Sequence, residues 1–494
     1  MKILLRGHNY RYEIEQMVRI FFEQQKIEYI ENKDEVENAE FNIISMLQES
    51  SSQIVAVTYI EYDGKNKEYK IEKQYDTELD EVEYVKLCKA IIKLSFFNAA
   101  KEVASVQVPW GTLTGIRPTK IVHHLMEQQK TDQEIKKILS ERYAVTAQKI
   151  DLALEVAKNE LKILKKSAPD AVAVYIGIPF CPTRCLYCSF VSNSVHRAQK
   201  LIEPYMDALI KEIEYTKTII DKLNWKVESV YIGGGTPTVL APEMMDRLLF
   251  TLFQQLDLTK VKEFTIEAGR PDTIDRQKLL TIRNYPVNRI SINPQTMHKE
   301  TLKTIGRCHS PEDIVRSFEL ARELGFSNIN MDVIAGLPDE TVEMYEDTLN
   351  RIQHMAPENI TVHTMSIKRA SRLNEKKDEY AITQAKAVHR MLDFTHRFMK
   401  DNTMLPYYMY RQKNILGNLE NVGYCKPGYE CIYNIQIMEE RQSIIALGCG
   451  GVTKLVNQRE NRIDRIFNVK DVEEYIQRID EMLERKNKIY HYFA

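Results

Sequence analysis

Hydrophobic and polar positions divide the chain into three stretches. Between residues 13 and 25 the apolar positions recur at helical spacing, with Ile14, Met17, Val18 and Phe21 on one face of EIEQMVRIFFEQQ. NIISMLQ and QIVAVTYIEYDGKNKEYKIEKQYD then alternate apolar and polar residues around Asp63-Gly64, a hairpin signal. VEYVKLCKAIIKLSFFNAA reads as a helix with Cys88 on its apolar side, where a free thiol behaves as a small hydrophobe. VPWGTLTGIRPTKIVHHLM is punctuated by Gly111, Gly115 and Pro118, and Pro118 is placed to open a helix. Trp110 and Arg117 in that segment either face a ligand or pack a domain, and loop punctuation alone carries no chemistry. The charged helix AQKIDLALEVAKNELKILKK then leads into the linker Ser167-Ala168-Pro169-Asp170.

From residue 171 the period changes. VAVYIGI, SVYIGG, EFTIEA, RISINP, INMDVIAG and ITVHTMS read as strands. Helical stretches separate them, such as EPYMDALIKEIEYTKTIIDKL with its stripe of Met206, Leu209, Ile210 and Ile213. That alternation predicts parallel βα units, and six of them fall short of the eight in a closed barrel. Beyond residue 370 come the helix ITQAKAVHRMLDFTHRFMKD, an aromatic, Gly-rich stretch from Leu405 to Leu455, and the charged helix DVEEYIQRIDEMLERKN. The expected organisation is an α/β protein with three parts: an N-terminal α+β domain over 1–165, a six-unit βα core over 171–370, and a mostly helical C-terminal extension over 371–494.

Composition narrows the class. At 494 residues the chain exceeds one ordinary core, and 44% hydrophobic with 28% charged residues describes a soluble globular protein. The formal net charge is −2 with acids and bases interspersed, so no nucleic-acid partner or anionic membrane surface is expected. Eight cysteines are too few and too irregular for a secreted disulfide framework. The first residues lack a signal-peptide core, and no apolar run approaches membrane-span length. A cytoplasmic location is expected.

The chemistry concentrates in AVAVYIGIPFCPTRCLYCSF. Cys181, Cys185 and Cys188 follow an apolar strand in the spacing C-x3-C-x2-C. Thiolates bind zinc or iron–sulfur clusters, and both normally take four protein ligands. Three in one loop suit a 4Fe-4S cluster with one open iron; a zinc site would need a distant fourth ligand such as Cys425 or Cys431. Gly233-Gly234-Gly235-Thr236-Pro237-Thr238 ends the second strand, where glycines let backbone approach a ligand. Glu267 ends the third strand, and Gln295, Arg307 and Asp332 follow in SINPQTM, IGRCHSPED and INMDVIAGLP.

This set resembles the radical S-adenosylmethionine enzymes, in their oxygen-independent coproporphyrinogen III oxidase branch, firmly over about 171–370 and loosely in the tail. LGCGGVTK is similar to a degenerate form of that branch's small-residue C-terminal motif. The N-terminal region lies outside the standard enzyme and resembles a coproporphyrinogen dehydrogenase variant. The resemblance implies an open (β/α)6 partial TIM barrel with its chemistry at the carboxyl ends of the strands. It implies that Cys181, Cys185 and Cys188 hold a 4Fe-4S cluster whose open iron chelates S-adenosylmethionine. It assigns Tyr175, Tyr187, Gly234, Gly235, Thr236, Glu267, Gln295, Arg307 and Asp332 to cosubstrate binding, with Glu267 on the ammonium group and Asp332 on the ribose. The implied activity is conversion of two propionates of coproporphyrinogen III to vinyl groups, through a 5′-deoxyadenosyl radical. A reductant such as flavodoxin or ferredoxin would supply the electron. Another radical reaction on a tetrapyrrole, such as anaerobic haem breakdown, and haem delivery as a chaperone are the alternatives.

One position departs from the pattern. The branch reads Tyr-x-His-x-Pro-Phe-Cys, and here Gly177 stands in the His place, which leaves Tyr175 as the catalytic polar group. Strand alternation puts 175 and 177 on one face, so free space is expected beside the Tyr175 ring. Arg270, Arg289, Lys368 and Arg369 are candidate partners for substrate carboxylates, and Tyr407–Arg411 either covers a flat ligand or is core.

Overall fold

The computed structural model describes all residues except 23–24, 31–41, 76–79, 116, 191, 369–370, 376–382, 413–414 and 494. Two compact units are present, one of residues 1–154 with 417–419 and one of 155–416 with 420–494.

In the first unit β1 (Lys2–Arg6), β2 (Glu28–Tyr29), β3 (Ile43–Glu49), β4 (Gln53–Tyr62) and β5 (Lys65–Gln74) form one sheet in the order β2-β1-β3-β4-β5. The expected hairpin is β4–β5, and Asp63 and Gly64 both take positive φ (51° and 71°), the backbone a two-residue hairpin turn with strand twist requires. β4 alternates buried and half-buried residues, while β5 is exposed almost throughout. The helix Glu81–Val103 begins where the Asp80 side chain accepts from the Glu83 N–H at 2.8 Å. Its apolar face covers the sheet, with Cys88 fully buried among Ile14, Ile54 and Phe96. Trp110 is also buried, and Pro118 caps the helix Thr119–Glu127. The sequence pattern did not single out β1, whose five residues are too few to show a period.

In the second unit the six expected strands are β6 (Ala171–Ile178), β7 (Lys226–Gly234), β8 (Glu263–Gly269), β9 (Arg289–Ile292), β10 (Ile329–Ala335) and β11 (Asn359–Thr364). They pair in sequence order, all parallel. Helices such as Val195–Lys222 and Pro311–Glu323 cover the outside, so both faces of the strands are closed and seven of the eight β6 residues are buried.

Beyond residue 400 come five further strands, with the helix Ile432–Glu439 between the second and third and three helices after the last: β12 (Leu405–Tyr410), β13 (Asn421–Cys425), β14 (Ser443–Leu447), β15 (Val452–Asn457) and β16 (Arg462–Phe467). These join both edges of the same sheet, giving eleven strands in the order β12-β13-β11-β10-β9-β8-β7-β6-β14-β15-β16. β14 pairs parallel with β6, and β13 pairs antiparallel with β11, so the six-stranded barrel is flanked rather than closed. No helix among the described residues is long and apolar enough to cross a membrane.

Candidate active site

The carboxyl ends of β6–β11 surround a cavity of about 610 Å³. Its lining includes Tyr175, Cys181, Cys185, Tyr187, Cys188, Gly234, Gly235, Thr236, Glu267, Gln295, Arg307 and Asp332. Every residue that the resemblance assigned to cluster or cosubstrate therefore reaches one space.

Neighbouring backbone holds the cysteine loop. Gly235 N–H donates to the Ile178 carbonyl and Thr236 N–H to the Phe180 carbonyl, both at 2.8 Å, just before Cys181. A Cβ on Gly235 would stand 2.5 Å from the Phe180 oxygen, so only glycine lets the two segments meet. Gly234 takes φ +101°, a conformation that turns the chain away from its strand. From the other side Leu186 N–H donates to the Ile305 carbonyl and the Thr183 hydroxyl to the Gly306 carbonyl. The Thr236 hydroxyl donates to the Cys181 sulfur at 3.5 Å. Burial, with the other two sulfurs close by, pushes the Cys181 thiol up to about 11. Binding to a cation is what would hold these sulfurs as thiolates.

The strand ends supply the polar wall. Tyr231 donates to Glu267 at 2.6 Å, and the missing side chain at Gly233 leaves room for that carboxylate, because a Cβ there would lie 2.9 Å from the Glu267 carboxyl carbon. Burial raises Glu267 to about 7; the Tyr231 hydrogen bond opposes that rise, and the Asp332 charge adds to it. Burial would raise Asp332 as well, but His363 and the Asn330 amide outweigh it and hold Asp332 below the ordinary carboxylate value. Asn330 donates to Asp332 Oδ1 at 2.7 Å, and His363 Nε2 lies 3.6 Å from Oδ2. Gln295 takes φ +67°, unusual for a side-chain-bearing residue, and is held there by its N–H to the Asp332 carbonyl (2.9 Å) and its carbonyl to Ile334 N–H (3.1 Å). Arg307 is buried, donates from Nη1 to the Asn293 carbonyl at 2.5 Å, and leaves its Nε without a partner. Tyr175 stacks with Tyr231 and Tyr433, ring centres 6.3 and 6.1 Å away, and burial raises its hydroxyl above the ordinary value.

These residues fit a three-thiolate cluster with a small charged cosubstrate. A zinc site completed by Cys425 or Cys431 does not form. The Cys431 thiol donates to Glu263, the first residue of β8, and Cys425 pairs with Asn359, the first residue of β11. Both therefore lie at the amino ends of the strands, whereas Cys181 follows the carboxyl end of β6. Seven residues of strand separate the two ends by about 20 Å.

Three expectations change. Arg270 is not free for a substrate carboxylate: it forms a two-point pair with Asp272 (2.9 and 2.8 Å) and donates to Thr183 Oγ1 at 2.8 Å, bracing the cysteine loop. The space beside Gly177 is not open, because a Cβ there would touch the Leu447 and Cys449 carbonyls and the Tyr175 ring at 3.5–3.6 Å. Tyr407–Arg411 divides by face, with Tyr408 and Tyr410 lining the cavity and Tyr407 and Met409 buried away from it. Arg289 and Lys368 line the cavity, and Arg369 lies outside the described residues.

Sequence reasoning missed His363, Tyr231, Asn330, Asn293 and Tyr433, all of which line the cavity. The signal was present in the strands as polar residues at every second position: Asn330 and Asp332, Thr361 and His363.

Comparison with known proteins identifies the family. Residues 175–352 match the Radical SAM superfamily, whose members use a 4Fe-4S cluster and S-adenosylmethionine. Over 478 residues the chain is 35% identical to the oxygen-independent coproporphyrinogen-III oxidase-like protein HemZ of Bacillus subtilis (strain 168), covering 96% of this chain and 94% of that one. It is 29% identical to the heme chaperone HemW of Lactococcus lactis over 64% of this chain and 79% of the other. Coproporphyrinogen III oxidase (HemN) from Escherichia coli shares the fold, with a TM-score of 0.52 at 23% identity over 66% of this chain and 73% of that one. The chain thus belongs to the radical S-adenosylmethionine superfamily, among the oxygen-independent coproporphyrinogen-III oxidase-like proteins of the HemZ type.

Proposed function

We propose that the protein is an enzyme that converts coproporphyrinogen III to protoporphyrinogen IX without oxygen, turning two propionate side chains into vinyl groups. In each conversion a propionate loses carbon dioxide, gives one hydrogen atom to the cosubstrate-derived carbon radical and gives one electron to an external one-electron acceptor. The observation that carries this reading is the single cavity in which the three thiols and the polar strand ends meet a wall of tyrosines, in a chain similar along nearly its whole length to an oxidase-like protein.

Cys181, Cys185 and Cys188 would hold the cluster, and Glu267, Gln295, Arg307 and Asp332 the cosubstrate. Bound there, the two groups supply a carbon-centred radical able to abstract a hydrogen atom from an unactivated carbon. The chain's own part is positioning and exclusion of water. Arg270 and the Gly235–Thr236 backbone keep the cysteine loop in place. Ionised Glu267 accepts the cosubstrate ammonium group, and Asp332, kept ionised by His363 and Asn330, accepts from a ribose hydroxyl. The part after residue 371 covers the substrate, contributing Tyr408, Tyr410, Tyr433, Gly450 and Gly451 to the lining. Tyr175, on β6 next to the cysteine loop, is the polar group assigned to substrate turnover.

Anaerobic incubation with coproporphyrinogen III, S-adenosylmethionine and a reductant tests the reading: vinyl products and carbon dioxide are expected, and Tyr175→Phe should slow their formation with the cluster spectrum unchanged. The HemW relatives, described as heme chaperones, support haem delivery as the second reading. Transfer of haem to an acceptor protein without turnover would establish that alternative instead.

A further inference from the structure

Arg289 opens β9 at the amino end of the barrel strands, yet its side chain lines the cavity while only 1% exposed. Its Nε is buried without a hydrogen-bond partner. Cys431, Tyr407, Glu263 and Tyr231 are its electrostatic neighbours, and the Tyr407 hydroxyl is itself buried and unpartnered. The other two arginines of this cavity are used by the fold, Arg270 on Asp272 and Arg307 on the Asn293 carbonyl.

A guanidinium carries five N–H donors in one plane, and burying it unpaired is costly unless a partner arrives. Its fork matches a carboxylate through two parallel hydrogen bonds. Glu263, Glu267 and Asp332 share the barrel interior, so a dianion such as phosphate would meet three acids, whereas a carboxylate brings a single negative charge to the guanidinium. Arg289 stands at the amino end of β9, although its charge reaches Glu267 and Asp332 and favours their ionised forms. Gln295 lies at the carboxyl end, and the four residues from Arg289 to Asn293 span about 13 Å of strand.

We infer that Arg289 seats one carboxylate arm of the substrate at the floor of the barrel. The assignment of that arm to a tetrapyrrole propionate rests on the function proposed above; the carboxylate seat itself does not. An arm anchored there would fix which ring edge faces the cysteine loop, so the seat sets the orientation of a substrate with several similar side chains.

The test compares the wild type with Arg289→Gln, which removes the charge, and Arg289→Lys, which keeps it and loses the fork. The probes are coproporphyrin III, the unreactive oxidised form of the substrate, followed by fluorescence quenching; S-adenosylmethionine, followed by calorimetry; and glutarate, a small dicarboxylate, followed by thermal shift. R289Q should bind coproporphyrin III at least tenfold more weakly, R289K by a smaller factor, with a smaller change in cosubstrate affinity in both. Glutarate should raise the melting temperature of the wild type and not that of R289Q. Should R289Q fail to fold, weakened coproporphyrin III binding by R289K with a smaller change in cosubstrate binding supports the seat equally. Equal coproporphyrin III binding by all three proteins overturns the seat, and so does a loss confined to S-adenosylmethionine. If the wild type ignores coproporphyrin III but loses glutarate protection in R289Q, the seat stands and the tetrapyrrole reading falls. No response of the wild type to either carboxylate overturns both.

Discussion

In β4 of the N-terminal unit Ile54, Ala56, Thr58 and Ile60 face inward, and the one polar residue among them accepts the Ser95 hydroxyl at 2.9 Å. In β10 of the barrel Asn330, Asp332 and Ile334 face the cavity while Met331, Val333 and Ala335 are buried. The same two-residue period governs both strands. The difference lies in what the inward polar groups meet. Among the described residues of β1–β5 and the helix Glu81–Val103 no buried side-chain donor or acceptor lacks a partner, whereas the barrel leaves Arg289, Arg307, His309 and Tyr407 each with an unmatched buried atom. A sheet that only supports satisfies its polar groups internally. A sheet that binds leaves some for its ligand.

Cysteine replacement gives the largest contrast between the two regions. Cys181→Ala, Cys185→Ala or Cys188→Ala should each abolish the brown chromophore and the reductive cleavage of S-adenosylmethionine. Cys88→Ala, in the N-terminal core, should leave iron and sulfide content at the wild-type level. Full 5′-deoxyadenosine production by any of the three loop variants would remove that cysteine from the ligand set.

Glycine replacement should separate the regions next. Gly64→Ala meets nothing within 4 Å and strains only its positive φ, at about 1–2 kcal/mol, readable as a lower denaturation midpoint. Gly235→Ala drives a Cβ to 2.5 Å from the Phe180 carbonyl, so the segment leading into Cys181 must move. Cluster retention after anaerobic reconstitution should fall sharply in that variant, and retention at the wild-type level would show that the loop tolerates the shift.

Asp332→Asn tests whether a barrel carboxylate serves a ligand or merely its neighbours. A lost charge-assisted hydrogen bond costs roughly 1.5–3 kcal/mol, so cosubstrate affinity should fall about tenfold or more in calorimetry. Unchanged affinity would assign Asp332 to the Asn330–His363 network alone.

The smallest effect concerns pH. Glu267 is raised from 4.5 to about 7 in the folded protein, so between those values the native state holds a proton that the unfolded chain has released. By linkage this group lowers folding stability as pH rises through that window, while the ionised form that accepts an ammonium group becomes available. Cosubstrate affinity should therefore increase as pH rises through about 7. Tyr231→Phe removes the hydrogen bond that favours the ionised form, and should move the midpoint of that increase upward. A midpoint near 4.5 in the wild type would count against Glu267 as the acceptor.

Much of this site was legible because its parts are local. A tight cysteine loop, a glycine run one strand later and strands of four to nine residues are each written within a dozen positions, where covalent connection limits the geometry. The β4–β5 hairpin was readable for the same reason, since Asp63-Gly64 needs only its own backbone freedom. The roles that eluded prediction depend on partners far along the chain. His363 gains its place from Asp332, 31 residues earlier, and from Tyr410, 47 residues later.

By itself the sequence determined the six parallel strands, the cysteine loop and the glycine loop that receives it, because each follows from a short-range pattern that only one local geometry satisfies. Tertiary structure alone decided that Arg270 braces the cysteine loop through Thr183, 87 residues away, and that Leu447 and Cys449 close the space beside Gly177. It also decided that Cys425 and Cys431 lie at the far end of the barrel from the triad. Linear spacing gives no measure of depth along a barrel axis. A side chain on an inward face can meet a ligand, a counter-charge or another strand, and the choice depends on which distant segment the sheet brings alongside it.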